Sequence, residues 1–375
     1  MNAVMNEPVM DYMRRYRFKK LLLLDDADTG LRAVIAIHST ALGPAGGGVR
    51  FWPYPSEKEA MVDAMRLARG MTYKYAAAGI DLGGGKAVIV GDPRKDKSEA
   101  LLRAFGRMVD QLGGEYYLAE DVGTTSEDAQ TIYKETGYVL SLPEHLGGPG
   151  DVAPLTALGS IEATRACAKR VWGTPDLAGR SVALQGLGAV GYRALRLLVE
   201  SGARVVVADV DEAKVRQAQQ EFGVEAVPAE DIYDQDVDIF GPYALGAVIN
   251  DQTIPRIKAR IVAGSANNVL AEERHGTQLE ERGICYAVDF VANSGGIVYD
   301  EEVVYPGLRK PQGGLRHDRA EKKVREIFGR IEEVFAIADR EGVPCWRAAE
   351  LLAERRIEAI NRVRLLNTGG QVHHR

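Results

Sequence analysis

The stretch Gly186-Leu187-Gly188-Ala189-Val190-Gly191 constrains the fold more than any other part of the chain. A short β-prone run over 180–185 feeds it, and the segment Ala189–Glu200 then carries Val190, Ala194, Leu197 and Leu198 at helical spacing. A second β-prone run, Arg204–Ala208, ends at Asp209. Strand, glycine turn, helix and strand in this order predict a βαβ unit of a doubly wound sheet. Gly186 permits the tight turn, Gly188 lets a pyrophosphate approach the backbone, and Gly191 lets helix and strand pack closely, with the helix N-terminus facing the phosphates. Leu187, Ala189 and Val190 complete this cradle. Asp209 lies 18 residues past Gly191, about where an acid accepts a ribose 2′-hydroxyl and repels a 2′-phosphate, so NAD is expected over NADP. A glycine turn in some unrelated doubly wound sheet is the plain alternative; the full order of elements, closed by an acid, weighs against it.

A second glycine cluster, Gly83-Gly84-Gly85-Lys86, lies upstream. A nucleotide-triphosphate loop needs four residues between its first glycine and the Gly-Lys pair, then Ser or Thr. Here Ile80 occupies the first glycine's place and Ala87 follows the lysine, which rejects that reading. What remains is a lysine leaving a flexible turn into the apolar strand 87–90, where burial lowers its pKa toward the range useful for acid/base chemistry. Lys74 ends a helical pattern whose apolar side holds Ala60, Met61, Ala64, Met65, Leu67 and Ala68. Two cations near one site depress each other's pKa. Taken singly, either lysine is more often a solvated surface charge.

At 375 residues the chain has room for two domains with separate cores. A net charge of −6 and a pI near 5.7 argue against nucleic-acid or anionic-membrane partners. No run approaches the ~18 apolar residues of a membrane span, and the N-terminus lacks the apolar region and cleavage site of a signal peptide. Cys167, Cys285 and Cys345 are odd in number, far apart and without zinc-ligand spacing, so no metal and a reducing cytoplasm are expected. Residues 1–150 alternate strand-like runs (33–37, 87–90) with helical patterns (56–74, 97–112). The glycine-rich stretch 146–154 reads as a hinge. A helix from Thr156 leads into the βαβ unit, with further units through Ile239-Phe240, Ile261-Val262-Ala263 and 285–288. Residues 305–317 read as a loop, 318–340 and 344–366 as helices, and 367–375 as a frayed tail.

Several longer motifs occur in a recognisable order. Gly43-Pro44-Ala45-Gly46-Gly47-Gly48-Val49-Arg50, Arg69-Gly70-Met71-Thr72-Tyr73-Lys74, LGGGKAVIVGDP from Leu82 and AEDVGTT from Ala119 are followed by QGLGAVG from Gln185, ALGAVIND from Ala244 and AGSANN from Ala263. Over residues 30–297 the chain resembles the amino-acid dehydrogenases for leucine, valine and phenylalanine. The resemblance implies an α/β protein of two domains: a substrate and oligomerisation domain over 1–150 and a Rossmann NAD-binding domain over 151–340, with a C-terminal helix (341–375) returning to the first. It implies Lys86 as general acid/base, Asp121 as the group that orients Lys86 and holds the α-amino group, and Lys74 as the clamp for the substrate carboxylate, aided by Asn267 and the backbone at Gly47. Thr156 would place the nicotinamide carboxamide, and Ala244 and Asn267 would line the cofactor. The reaction implied is reversible oxidative deamination of an L-amino acid to a 2-oxo acid and ammonia, in a homo-oligomer.

Departures from the family pattern bear on the substrate. Related glutamate enzymes carry a lysine just before the paired glycines, where this chain has Gly46. Burying a glutamate side chain there with no cation would cost several kcal/mol, so an apolar substrate is implied. Leucine-type members carry a leucine at that position, and Gly46 is expected to leave a larger pocket, with Ala119, Leu140 and Ile297 as further lining. Ala119 resembles the leucine type; Gly148-Pro149-Gly150-Asp151 resembles the phenylalanine type. Tyr243 stands near the expected cofactor edge, and after Ile297 the sequence leaves the pattern through Tyr299, Asp300 and Glu301. The expectation is an NAD-dependent dehydrogenase of leucine or other branched-chain amino acids, with phenylalanine as the nearest alternative. A catalytically silent NAD-binding protein is the alternative of another class, and the joint retention of Lys74, Lys86 and Asp121 speaks against it.

Overall fold

A computed structural model describes residues 8–301 and 317–366. All but the last residue of the loop expected over 305–317, and the whole tail expected at 367–375, lie outside the described residues. The described residues divide into two compact units: 8–150 together with 353–366, and 151–301 together with 317–352.

In the first unit, β1 (Lys20–Asp26), β2 (Leu31–Ser39), β3 (Ala45–Trp52), β4 (Gly83–Val90) and β5 (Tyr116–Glu120) form one sheet in the order β1-β2-β4-β3-β5. β2 runs antiparallel to β1 and β4, whereas β3 runs parallel to β4 and β5. The two-residue period of a strand sends its side chains to alternate faces. Val34, Ala36 and Val88 pack against helix α2 (Glu57–Ala77) and against α1 (Val9–Tyr16), while Ile35, Ile37, Ala87 and Ile89 pack on the opposite face against α3 (Glu99–Asp110) and α4 (Ser126–Tyr133). Ser56 caps α2 by accepting from the Glu59 amide at 3.2 Å, satisfying a donor that helix geometry leaves open. Its sheet-facing residues are small: Ala60, Ala64 and Ala68, with Met65.

That close packing explains the first glycine cluster. Gly83, Gly84 and Gly85 are buried residues within β4, in place of the flexible turn the sequence suggests. A Cβ at Gly84 would stand 2.1 Å from Thr72 Oγ1 and 2.4 Å from the Ala68 carbonyl oxygen. The missing side chain at Gly84 lets α2 approach the strand that carries Lys86, and the lysine is thereby held on rigid structure.

In the second unit every pair of neighbouring strands is parallel: β6 (Ser181–Gln185), β7 (Arg204–Ala208), β8 (Glu225–Ala226), β9 (Ile239–Pro242), β10 (Ile261–Val262) and β11 (Cys285–Tyr286), ordered β11-β10-β9-β6-β7-β8. Val182–Leu184 and Val205–Ala208 are buried without interruption, as befits strands covered on both faces. The helices are α5 (Ala153–Trp172), α6 (Ala189–Glu200), α7 (Glu212–Phe222), α8 (Glu273–Glu281), α9 (Asp289–Ala292), α10 over 295–301, α11 (His317–Arg325), α12 (Ile327–Glu341) and α13 (Cys345–Leu366). The chain builds β7 and β8 on one side of β6 and lays β9 on the other. Strand order therefore reverses between β6 and β9, and the carboxyl ends of those strands flank the crevice where such sheets take ligands. From Ala353 on, α13 belongs to the first unit: Arg356 donates to the carbonyls of Ile80 (2.7 Å) and Gly79 (3.0 Å) just past α2 and pairs with Asp81 at 2.6 Å.

The cysteines, distant in sequence, meet in the second unit. Burial above all, with the neighbouring Cys285 and Cys345 thiols, pushes Cys167 well up from the ordinary thiol range, and burial pushes Cys345 up to about 12. Thiols held protonated in this way are inert. Among the described residues, no group of His, Cys, Asp and Glu could hold a metal ion, and no helix is long and apolar enough to cross a membrane.

Candidate active site

Lys86 lies on the α2 face of the first sheet, two residues from Val88 along β4. On β3, Gly46, Gly48 and Arg50 share that face by alternation. Lys86 Nζ sits 3.1 Å from Asp121 Oδ2, and its side chain is only 6% exposed. Gly48 makes the notch that holds this pair: a Cβ there would stand 2.7 Å from Asp121 Cβ and 3.0 Å from Lys86 Nζ. Asp121 is set just past β5 by a turn in which its amide donates to Thr124 Oγ1 at 2.9 Å, while the Thr124 hydroxyl donates to the Val49 carbonyl at 2.8 Å.

The electrostatics follow from burial. Desolvation is the largest influence on Lys86 and lowers its pKa; Asp121 opposes this, Arg50 adds to it, and the result lies below the ordinary lysine value. For Asp121, burial alone would raise the pKa, but Lys86 and Arg50 outweigh it and hold the carboxyl below the usual range. The site thus pairs a firm carboxylate with an amine that sheds its proton more readily than a solvated lysine.

Arg50 received no role from sequence. It donates through Nε to Asp121 Oδ2 at 2.9 Å and through Nη1 to Asp63 Oδ2 at 2.8 Å, and the Tyr54 hydroxyl donates to the same Asp63 oxygen at 2.6 Å. Its position two residues beyond Gly48 on a strand is the signal that places it on the lysine's face. The buried Tyr116 hydroxyl, also unforeseen, donates to the Gly47 carbonyl at 2.7 Å and steadies β3 from below. Lys74 lies in the last turn of α2, half-buried, and precedes Tyr75.

The glycine turn expected to cradle a dinucleotide lies at the mouth of β6 in the second unit. Gly186 adopts φ +101°, a conformation open to glycine, and a Cβ at Gly191 would fall 2.0 Å from the Gly186 carbonyl oxygen. Gly188 and Ala189 are exposed, with nothing within 4 Å of a Cβ at Gly188, and no side chain caps α6. Its first amides are therefore open to an anion. The Leu187 amide is the exception, since it donates to Asp209 Oδ2 at 2.5 Å; Asp209 Oδ1 accepts from the Asp211 amide at 2.8 Å. Ala244, at the end of β9, lies against Gly186.

A second cluster completes this end of the unit. Asn267 Oδ1 accepts from Asn293 Nδ2 at 2.8 Å, which leaves the exposed Asn267 its Nδ2 as a donor. Asn293 Oδ1 is buried with no partner among the described residues. Thr156 donates its hydroxyl to the Val152 carbonyl at 3.0 Å, so toward a ligand it offers lone pairs. It lies against the first turn of α10: a Cβ at Gly296 would lie 2.8 Å from Thr156 Oγ1. An open helix terminus, an anchored acid, the Asn267 amide donor and the Thr156 lone pairs fit a nicotinamide dinucleotide.

Tyr243 follows β9 and lies against Gly191. It is buried beneath the cradle, with its hydroxyl 3.1 Å from Ser160 Oγ on α5 and its pKa pushed up to about 12 by burial. Gly191 and Gly241 leave the space its side chain fills.

Gly46 departs from expectation. A Cβ there would meet the Tyr75 hydroxyl oxygen at 2.7 Å and its ring carbon Cζ at 3.0 Å, so the space is filled by the Tyr75 phenol and no enlarged pocket opens. Of the other expected lining residues, Ala119 is half-buried on β5 opposite Gly48, whereas Leu140 is buried beside β5, its amide donating to the Leu118 carbonyl at 2.7 Å. Ile297 belongs to α10 in the second unit and is half-buried.

A buried lysine–carboxylate pair on one sheet and a glycine turn opening an uncapped helix on another are features that suit a two-domain oxidoreductase. Residues 19–138 match the pattern described as "Glu/Leu/Phe/Val dehydrogenase, dimerisation domain", and residues 207–304 that described as "Glutamate/Leucine/Phenylalanine/Valine dehydrogenase". Leucine dehydrogenase of Geobacillus stearothermophilus is 50% identical over 353 residues, 94% of each chain. Phenylalanine dehydrogenase of Caldalkalibacillus thermarum is 44% identical over 345 residues, 91% of each chain. The crystal structure of L-tryptophan dehydrogenase from Nostoc punctiforme matches with a TM-score of 0.83 at 40% identity, covering 94% of this chain and all of that one. The chain belongs to the Glu/Leu/Phe/Val family of amino-acid dehydrogenases.

The contact at Gly46 yields a stability prediction. Gly46→Ala must displace the Tyr75 phenol and should lower Tm, with a cost of about 1–3 kcal/mol as for other overpacked sites. Adding Tyr75→Leu should recover much of that loss, so thermal denaturation of the two single variants and the double variant should show coupling. A Gly46→Ala protein melting with the unaltered chain would mean that Tyr75 does not fill the space.

Proposed function

We propose that the protein catalyses NAD-dependent, reversible oxidative deamination of an apolar L-amino acid, leucine and other branched-chain substrates first. The observation that carries this reading is the buried Lys86–Asp121 pair with its lowered lysine pKa, and the half-identity to leucine dehydrogenase supports it. NAD, when bound, supplies the hydride acceptor. Gly186, Leu187, Gly188, Ala189, Val190 and Gly191 would hold its pyrophosphate, Asp209 its ribose, and Thr156, Ala244 and Asn267 its nicotinamide end.

The remaining work falls to the chain's own side chains. Lys74 pairs with the substrate carboxylate, near the β3 backbone at Gly47, with Asn267 as a further donor. Asp121 accepts a hydrogen bond from the α-amino group. Once the α-carbon is oxidised, neutral Lys86 takes a proton from the water whose oxygen adds to the iminium carbon, returns it to nitrogen, and takes the hydroxyl proton as the carbonyl forms and ammonia leaves. Gly46 offers no cation to a side-chain carboxylate, which disfavours glutamate. A homo-oligomer is supported by the dimerisation description of the first domain's family, and three free thiols suit a reducing cytoplasm. An aromatic side chain is the second reading, favoured by the likeness to phenylalanine and tryptophan dehydrogenases. Absorbance at the reduced-nicotinamide band with NAD and a panel of leucine, valine, phenylalanine, tryptophan and glutamate tests both. No rise with any of the twenty amino acids would leave the catalytically silent NAD-binding alternative.

Two outcomes are expected. Lys86→Ala should lower kcat by at least ~10²-fold, the scale of general acid/base catalysis, with NAD affinity near that of the unaltered protein. Deamination should rise with pH as Lys86 loses its proton, at lower pH than a free lysine would require. A variant keeping more than half its turnover would refute the assignment. Asp209→Ala should narrow the preference for NAD over NADP by removing the repulsion of a 2′-phosphate; equal kcat/KM for both cofactors in the unaltered chain would remove the basis for that role.

A further inference from the structure

Among the described residues, the side-chain contacts of the Asp121 carboxylate fall on one atom. Both Lys86 Nζ (3.1 Å) and Arg50 Nε (2.9 Å) reach Oδ2. Arg50 is itself pinned at its far end, where Nη1 donates to Asp63 Oδ2 at 2.8 Å. Asp63 is fixed in turn by the Tyr54 hydroxyl on Oδ2 (2.6 Å) and by Arg66 Nη2 on Oδ1 (3.0 Å). These groups are largely withdrawn from solvent, with side-chain exposures of 22% for Arg50, 23% for Asp121 and 16% for Asp63. A planar guanidinium holding two carboxylates at once fixes the plane of both contacts, which an ammonium cannot do.

The geometry points to Arg50 as a positioning residue for the acid/base pair: bridging Asp121 and Asp63, it turns the Asp121 carboxylate so that Oδ2 serves the two cations and Oδ1 is left to receive the substrate's amino group. This rests on the reading of Lys86 as the base. It also settles which cation yields its proton, because a guanidinium stays charged under all working conditions whereas an ammonium does not. Arg50 neutralises Asp121 in part, so the carboxylate holds the Lys86 proton less firmly. The proton that leaves is the lysine's.

The elements around Lys86 contribute charged and titratable groups of both signs. β3 contributes Arg50, the turn after β5 contributes Asp121, and α2 contributes Asp63 with Arg66 behind it and Lys74 and Tyr75 in its last turn. β2 contributes His38, which burial pulls down to about 4, so that it is uncharged in the working range. Of these, Asp121 and Asp63 favour protonated Lys86 and Arg50 disfavours it.

The test is the pH dependence of deamination kcat/KM, measured for the full-length protein and for Arg50→Met, Arg50→Lys and Lys86→Ala. Removing the guanidinium both deletes a repelling cation and frees Asp121 to hold the ammonium, so Arg50→Met should move the rising limb to higher pH by about one unit. Turnover at neutral pH falls by about 10-fold in consequence. Arg50→Lys should return the midpoint toward its original place while leaving a lower plateau, since lysine cannot bridge both carboxylates; a structural spacer would show no such split. An unshifted limb in Arg50→Met, with Lys86→Ala inactive, overturns the role of Arg50 alone, whereas an active Lys86→Ala overturns the reading of the base. Should Arg50→Met fail to fold by circular dichroism, Asp63→Asn decides the matter. It removes an anion that favours the protonated lysine and keeps Arg50, so its limb should move to lower pH, and a limb that stays or moves up contradicts the proposal.

Discussion

A buried lysine next to a carboxylate is the interaction on which the first unit depends. Withdrawing an ammonium from water costs several kcal/mol unless a partner and further hydrogen bonds compensate. Lys86 has Asp121 for that purpose, and Asp121 shares its charge with Arg50. The compensation is partial, which is why the lysine sits below its ordinary pKa and can act as a base. Complete pairing would give a stable but unreactive ion pair, and no pairing would expel the side chain.

Holding that balance demands close packing, and the sequence achieves it with absent side chains. Gly84 brings α2 onto β4, Gly48 opens the notch for the pair, and Gly46 receives the Tyr75 phenol. The lysine therefore projects from a strand buried between two helical layers, and its environment is set by backbone positions that cannot relax cheaply. In the second unit Gly188 leaves open space above an uncapped helix terminus.

Much of this was legible in the chain. The βαβ order around Gly186–Gly191 and the acid at Asp209 predicted the second sheet because turn, helix and strand signals are local, and the reversal of strand order at β6 supplies the expected crevice. Lys86 and Asp121 were identified through motif order, and the structure brings them to 3.1 Å. What sequence missed was three-dimensional. GGGK reads as a turn because three glycines weaken a strand, and only the approach of Ser39, Thr72 and Tyr116 shows that they are packing positions. Gly46 suggested empty space because nothing local reveals that Tyr75, on another element, fills it. Arg50 lay within a quoted motif with no role, since its partners Asp63 and Asp121 are 13 and 71 residues away.

The lowered proton affinity of Lys86 joins packing to chemistry, and it can be read without substrate or cofactor. Carbon-13 labelling of lysine Cε, with the Lys86→Ala spectrum to assign the resonance, gives its titration by nuclear magnetic resonance. Lys86 should titrate clearly below the ordinary lysine value of about 10.4. A midpoint at or above that value would contradict the balance of burial and pairing from which the base is derived.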